Sequence, residues 1–144
     1  MTLCNVLLVD DETAFVETMS KRLIKRNLAI SVAYNGNEAL QQLEKNHNVE
    51  VVILDVKMPG MDGIETLKEI KKHYPLVEVI MLTGHATVES AIDGMKWGAH
   101  DYLMKPCEID VLMIKVDEAA SKKRRQEERI AEARIKEITS HRAY

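Results

Sequence analysis

The sequence VVILDVKMPGMDG, at residues 51–63, decides the fold more than any other stretch of the chain. Its first four residues form an uninterrupted apolar run, which is typical of a parallel strand that is covered on both faces. A carboxylate, Asp55, follows this run at once, and the pair Pro59-Gly60 then marks a loop. The stretch therefore predicts a buried central strand that ends on an acidic residue and a turn.

Similar apolar runs alternate along the chain with segments in which apolar residues recur at helical spacing. The predicted strands lie at residues 5–9, 30–34, 51–54, 79–82 and 101–104. The predicted helices lie at residues 12–26, 37–46, 64–73, 87–96 and from about 108 onward. Strict alternation predicts an α/β fold, namely a doubly wound, five-stranded parallel sheet with helices on both faces, in a flavodoxin-like (βα)5 arrangement.

The composition is that of a soluble globular protein, since 46% of the 144 residues are hydrophobic and 30% are charged. A net charge of −3 is too small to indicate a dedicated nucleic-acid surface. The two cysteines, Cys4 and Cys107, form neither a disulfide framework nor a metal-ligand spacing. The first residues lack the pattern of a signal peptide, and no apolar run reaches the length of a membrane span. We therefore expect a cytoplasmic protein with no membrane partner.

Polar side chains follow four of the predicted strands, at the point where each strand ends. They are Asp10 and Asp11 after the first strand, Asp55 after the third, Thr83 after the fourth and Lys105 after the fifth. Open parallel sheets bind ligands at the carboxyl ends of their strands. If the first, third, fourth and fifth strands lie side by side, these residues converge. Three carboxylates in one place repel one another, and a hard divalent cation such as Mg²⁺ relieves that repulsion. A carboxylate nucleophile, a metal and donors for phosphoryl oxygens are what phosphoryl transfer requires.

Other interpretations of these residues are weaker. A dinucleotide site needs a glycine-rich turn after the first strand, whereas the acidic turn at residues 10–13 would repel a pyrophosphate. A metabolic hydrolase would need a substrate-pocket signature, which the sequence lacks. Taken alone, Asp55 could be a helix cap or a turn residue, but the register of its partners favours a phosphoacceptor. We expect Asp62 to cap the third helix, and Phe15 to lie on the apolar face of the first.

Four segments resemble the signature sequences of the receiver domains of two-component response regulators. They are LLVDDE at residues 7–12, LDVKMPGMDG at 54–63, LTGHA at 82–86 and DYLMKP at 101–106. The resemblance covers roughly residues 4–120, in order and in spacing, and it implies a CheY-like fold. The form LTGHA also resembles the receivers of NtrC-like transcription activators.

The resemblance implies a role for each of these residues. Asp55 would accept a phosphoryl group from a sensor histidine kinase or a phosphotransfer protein. Asp11 would bind Mg²⁺ directly and Asp10 partly through water, and Asp55 and the backbone carbonyl of Lys57 would complete the protein ligands. The chain would catalyse only its own phosphorylation and dephosphorylation, so it would not be an enzyme with a separate substrate.

The resemblance also implies how the phosphoryl group is sensed. Lys105 would contact the phosphoryl oxygens, and Thr83 would form a hydrogen bond with them in the active state. Tyr102 would swing inward as an aromatic switch, although an ordinary half-buried core aromatic is the alternative. The Lys105–Pro106 peptide bond would be cis, which proline makes accessible. The altered surface of the fourth helix, fifth strand and fifth helix would control a partner or self-association, most simply as a homodimer.

The last predicted helix runs past the end expected for such a domain. We place the receiver domain at residues 1–121 and a helical extension or linker at residues 122–144. The basic run KKRR at residues 122–125 is followed at once by acidic residues, which favours a solvated helix face over a nucleic-acid contact. Two functions stay open: a signalling switch without a DNA-binding domain in this chain, and a DNA-binding transcriptional regulator or a receiver fragment of one. No helix-turn-helix pattern follows the receiver, which favours the first.

Overall fold

A computed structural model describes residues 3–142, so residues 1, 2, 143 and 144 of the predicted domain and extension lie outside the described residues. Within that range, strands and helices alternate throughout. They are β1 Cys4–Val9, α1 Thr13–Lys25, β2 Leu28–Ala33, α2 Gly36–Lys45, β3 Val51–Leu54, α3 Gly63–His73, β4 Glu78–Thr83, α4 Val88–Lys96, β5 Asp101–Met104 and α5 Ile109–Arg142. No helix of the described part is both long and apolar enough to cross a membrane.

The five strands form one parallel sheet in the order β2-β1-β3-β4-β5. This confirms the predicted doubly wound α/β fold. The chain first winds outward from β1 to β2, and it then crosses back past β1 to β3. The carboxyl ends of β1 and β3 therefore adjoin at the point where the winding reverses, which is where open sheets of this kind hold their ligands.

Two apolar layers cover the two faces of the sheet. One layer packs strand residues against α2 and α3, and the other packs them against α1 and α5. Every residue of β3 and β4 is buried, which accounts for the uninterrupted apolar runs in the sequence. Burying each large aliphatic side chain contributes roughly 1.5–3 kcal/mol, so these central strands are the most firmly held elements and fix the ends from which the polar residues project.

The helix and strand bounds differ from the predictions by at most two residues. The largest difference is in β2, which begins at Leu28 rather than residue 30 and ends before Tyr34. β2 is an edge strand with four half-buried positions, so its apolar pattern marks its ends poorly. The predicted helix cap is confirmed, since the Asp62 side chain accepts a hydrogen bond from the Glu65 N–H at 2.9 Å.

α5 continues without a break from its sheet-packed part into the predicted extension. Beyond its last buried residues, it is held at the amino end of the sheet by two acidic side chains. Arg124 donates through Nε and Nη2 to the two carboxylate oxygens of Glu50, at 2.7 and 2.9 Å. Lys122 Nζ lies 3.3 Å from one oxygen of Glu78, and Lys71 donates to the other at 3.2 Å.

We call the contacts of Arg124 with Glu50 and of Lys122 with Glu78 the α5 clamp. They change the interpretation of the basic run at residues 122–125. Two of its four side chains, Lys122 and Arg124, face carboxylates that are buried, with Glu50 9% and Glu78 2% exposed. Burial raises the pKa of the Glu50 carboxyl, but the hydrogen bonds and charge of Arg124 outweigh it and hold the pKa below its ordinary value. The run is therefore partly an internal contact, and the division at residue 121 stays a prediction.

We predict that Arg124→Met lowers the free energy of unfolding by about 1–2 kcal/mol near neutral pH, because a buried carboxylate loses its charged donor. The folded pKa of Glu50 is depressed, so the stabilisation is present above the ordinary glutamate pKa and is lost as pH falls through the folded value. Urea unfolding at neutral and acidic pH measures this. Arg129→Met, on an exposed turn of α5, is the matched control, and an equal, pH-independent loss in both variants would contradict the clamp.

Candidate functional site

Three carboxylates meet where the winding of the sheet reverses. Asp10, Asp11 and Asp55 each place one carboxylate oxygen within 4.8 Å of the others, and we call this group the acidic cluster. The register explains the meeting, because Val9 and Leu54 are paired between β1 and β3, so the residues that follow leave the sheet side by side. Asp10 is 1% and Asp55 2% exposed, whereas Asp11 is exposed. Two of the three negative charges are therefore largely shielded from water.

Lys105 brings a positive charge to the acidic cluster. Its Nζ donates to Asp10 Oδ2 at 2.6 Å, and its side chain is 15% exposed. The Lys105–Pro106 peptide bond is cis, as predicted. One ammonium offsets one of three carboxylates, so the cluster keeps a net negative charge when all three are ionised.

Thr83 and a backbone N–H approach Asp55 from the other side. Thr83 is the last residue of β4 and is fully buried. Its hydroxyl accepts a hydrogen bond from the His85 N–H at 3.0 Å, and it lies close enough to the Asp55 carboxyl to lower the pKa of that group. Asp55 Oδ1 in turn accepts from the Val56 N–H at 2.9 Å. The bond from the Val56 N–H orients the Asp55 carboxylate.

The environment of Asp55 raises the pKa of its carboxyl above the ordinary aspartate value. Burial raises the pKa of Asp55 most strongly, and the hydrogen bond from Thr83 opposes that shift. The charge of Asp10 raises the pKa further, while the charge of Lys105 lowers it. The net result is a pKa above the ordinary aspartate value, which means that the ionised cluster is short of positive charge.

This set of donors fits a hard divalent cation. Three carboxylate oxygens lie close together with residual negative charge, and Mg²⁺ takes oxygen ligands of this kind while keeping several waters. The exposed Asp11 opens onto a cleft of about 360 Å³ that Lys57 and His85 also line. Lys57 therefore lies at the mouth of the site, and the ligand role of its backbone carbonyl stays a prediction. Asp55 lies below the cleft rather than on its wall.

Tyr102 lies apart from the acidic cluster and faces α4. It is half-buried and packs with the core on the side of Met81 and Ile64. Its hydroxyl forms a 2.6 Å hydrogen bond with Ser90 Oγ. Ser90 also takes part in the capping box at the start of α4 with Thr87. Ser90 was not among the predicted site residues, although its spacing from Thr87 in the sequence is that of a capping box.

Comparisons with known proteins agree with this geometry. Residues 6–117 match the family model of the response regulator receiver domain. The chain is 35% identical to the DNA-binding transcriptional regulator NtrC of Salmonella typhimurium over 123 residues, which are 85% of this chain and 26% of that protein. It is 41% identical to an NtrX-like response regulator of Rickettsia bellii over 116 residues, which are 79% of this chain and 24% of that protein.

A solved structure shows the same likeness. The receiver domain protein from Clostridium thermocellum superposes with a TM-score of 0.81 at 36% identity, covering 85% of this chain and 98% of that one. The match thus covers nearly the whole length of that isolated receiver domain. By contrast, this chain spans only about a quarter of the length of each of the two curated relatives.

We predict that Asp55→Asn raises the free energy of unfolding, by on the order of 1 kcal/mol, when no divalent cation is added. The folded pKa of Asp55 is raised, so its ionised form opposes folding above that pKa, and the penalty disappears at acidic pH. Thermal unfolding at neutral and acidic pH measures the gain. Asp62→Asn, which retains a helix-capping side chain, should change stability little, and no gain for Asp55→Asn at neutral pH would refute the prediction.

Proposed function

The chain belongs to the response regulator receiver family, and from this premise we propose that it is a phosphoacceptor switch in which Asp55 takes the phosphoryl group. It is a receiver domain of a two-component response regulator. The observation that carries the specific proposal is the acidic cluster with Lys105 and Thr83 beside it. The chain would act on no separate substrate and would catalyse only its own phosphorylation and dephosphorylation. A sensor histidine kinase as the phosphoryl donor is consistent with a cytoplasmic location.

The chemistry is a single displacement at phosphorus. A carboxylate oxygen of Asp55 attacks the phosphorus of a phosphohistidine on a sensor kinase or phosphotransfer protein. The new O–P bond forms as the P–N bond breaks, and the imidazole leaves. The Val56 N–H holds Asp55 Oδ1 at 2.9 Å, so the carboxylate is oriented before the donor arrives.

Positive charge must meet the incoming phosphoryl oxygens. Mg²⁺ would supply positive charge that offsets the negative charge of the phosphoryl oxygens. The residues that would hold it are Asp11, Asp55, the carbonyl of Lys57 and, partly through water, Asp10. Lys105 supplies a second charge. Its ammonium has three donors, so it can keep the hydrogen bond to Asp10 while donating to a phosphoryl oxygen.

Thr83 links the phosphoryl group to the rest of the domain. Its hydroxyl now accepts from the His85 N–H beside Asp55, and turning toward a phosphoryl oxygen would loosen its hold on the loop that leads into α4. Tyr102 could then leave Ser90 and move into the space near Thr83. The face of α4, β5 and α5 would change shape as a result. This face carries six exposed apolar side chains: Val88, Ile92, Met95, Met104, Val111 and Ile114.

We predict that acetyl phosphate with Mg²⁺ adds one acid-labile phosphoryl group to the chain and that Asp55→Asn abolishes the adduct. Asp11→Ala should slow phosphorylation at low Mg²⁺ by about tenfold or more, since a small oxygen site loses a carboxylate ligand. Intact-mass measurement over time, with and without a chelator, follows both. Asp62→Asn is the control for a neighbouring carboxylate. An adduct of wild-type size on Asp55→Asn would sink the phosphoacceptor assignment.

We predict that beryllofluoride with Mg²⁺, which mimics the phosphorylated aspartate, shifts the chain toward a homodimer through the face of α4, β5 and α5. A charge in that face should prevent the shift, because it would be desolvated on association. Sedimentation with Ile92→Asp tests this. Ile135→Asp, at an equally exposed site on the extension, is the matched control, since Ile92 is 61% and Ile135 63% exposed. An unchanged mass over a wide concentration range would exclude the homodimer.

The second candidate, a receiver that serves a DNA-binding regulator, is favoured by one observation. The NtrC relative is a DNA-binding transcriptional regulator, and this chain spans 26% of its length. Within the present chain, Lys122 and Arg124 of the basic run are engaged by Glu78 and Glu50. We therefore propose that nucleic acid is not a partner of this chain alone, and that any DNA contact belongs to a longer protein.

A further inference from the structure

The ammonium of Lys105 has an aromatic neighbour as well as a carboxylate. Its Nζ lies 3.8 Å from the centroid of the Phe15 ring and 2.6 Å from Asp10 Oδ2. Phe15 is half-buried in the first turn of α1, on the helix that follows the acidic turn. We propose that Phe15 is a positioning residue for phosphoryl transfer, whose ring face holds the Lys105 ammonium in place for the phosphoryl oxygens. This inference rests on the proposed role of Lys105.

A lysine at this position needs such support. Its four-carbon stem is flexible, and an ammonium is a compact charge without the fixed fork of an arginine. Asp10 holds only its tip, and the same carboxylate belongs to the acidic cluster. The remaining wall beside the Lys105 stem is apolar apart from Arg22, in a cleft of about 320 Å³ lined also by Met19, Leu82, Pro106 and Cys107. The wall fixes where the stem can go, but it does not attract the charge.

The ring attracts the charge without occupying its hydrogen-bond donors. The face of a benzene ring carries negative electrostatic potential, so it holds a cation at this distance, more strongly where water is excluded. Lys105 is 15% exposed, so water screens the contact only weakly. A phosphoryl oxygen can then take an N–H of the ammonium while the ring contact persists. A cation–π contact of this kind corresponds to roughly three- to thirtyfold in a rate or binding constant.

The composition of the chain allows a direct test. Phe15 is the only phenylalanine, so replacing phenylalanine with fluorinated analogues during expression changes this ring alone. Each added fluorine withdraws electron density from the ring face while the ring keeps nearly the same shape. We expect the rate of phosphorylation by acetyl phosphate to fall stepwise through the mono-, di- and trifluorinated proteins, by about three- to tenfold in total. Unfolding by urea should be nearly unchanged.

A double-mutant comparison shows whether Phe15 acts through Lys105. In the Lys105→Gln background the ring has no ammonium to hold, so fluorination should leave the residual rate unchanged. Fluorine NMR adds a readout that does not depend on activity, because the resonance of 4-fluorophenylalanine at position 15 should move when Lys105→Gln removes the cation. An unmoved resonance would count against the contact.

Conventional substitutions complete the test. Phe15→Tyr keeps a ring face and should keep the rate, while Phe15→Leu keeps apolar bulk and should lose it. Met19→Leu, in the same helix and cleft, is the matched control with conserved volume and should leave the rate unchanged. If Lys105→Gln is slow but fluorination of the wild type has no effect, the positioning role is wrong and the proposed function stands. If Lys105→Gln is as fast as the wild type, the proposed role of Lys105 itself is wrong.

Discussion

Repulsion between carboxylates at the reversal point of the sheet is the constraint on which the rest of the site depends. Pairing of Val9 with Leu54 forces Asp10 and Asp55 to emerge together, and both are nearly inaccessible to water. Such an arrangement opposes folding unless donors and cations surround it. Lys105 donates a hydrogen bond to Asp10, and both Lys105 and Thr83 lower the pKa of Asp55. The close carboxylates that would make the site reactive also make it electrostatically unfavourable unless further positive charge is added.

The sequence was sufficient for the fold and for the convergence of the site, because both follow from local periodicity. Apolar runs such as the one in β3 identify buried strands, and the rule for open parallel sheets places the residues that follow them at one end. Contacts between side chains far apart in the chain leave no such pattern. Phe15 was expected only on an apolar helix face, and no spacing relates it to Lys105, ninety residues later. Arg124 and Glu50 are likewise 74 residues apart, so a run of basic residues was naturally assigned to solvent.

Buried carboxylates lie at both ends of the sheet, but the positive charge that faces them differs between the two ends. At the amino end, Glu50 and Glu78 are buried acids that lysine and arginine side chains already meet, and Arg124 binds with two hydrogen bonds. At the carboxyl end, one lysine faces three carboxylates. The first arrangement is nearly balanced, so it is structural, whereas the second still has capacity for a cation. α5 begins just beyond Lys105 and runs to the clamp, so one rigid element connects the unbalanced end of the sheet with the balanced one.

The proposed switch would act on side chains that already have hydrogen-bond partners. Thr83 accepts a hydrogen bond from the His85 N–H beside Asp55, and the Tyr102 hydroxyl forms one with Ser90. In that switch Thr83 and Tyr102 would exchange partners that they already have, whereas Lys105 would add a bond while keeping the one to Asp10. A ligand can shift the free-energy difference between the two states only by its differential affinity for them. The contact of Lys105 with Phe15 differs, because a ring face can be kept in both states. It can hold the charge in place while the hydrogen bonds around it change.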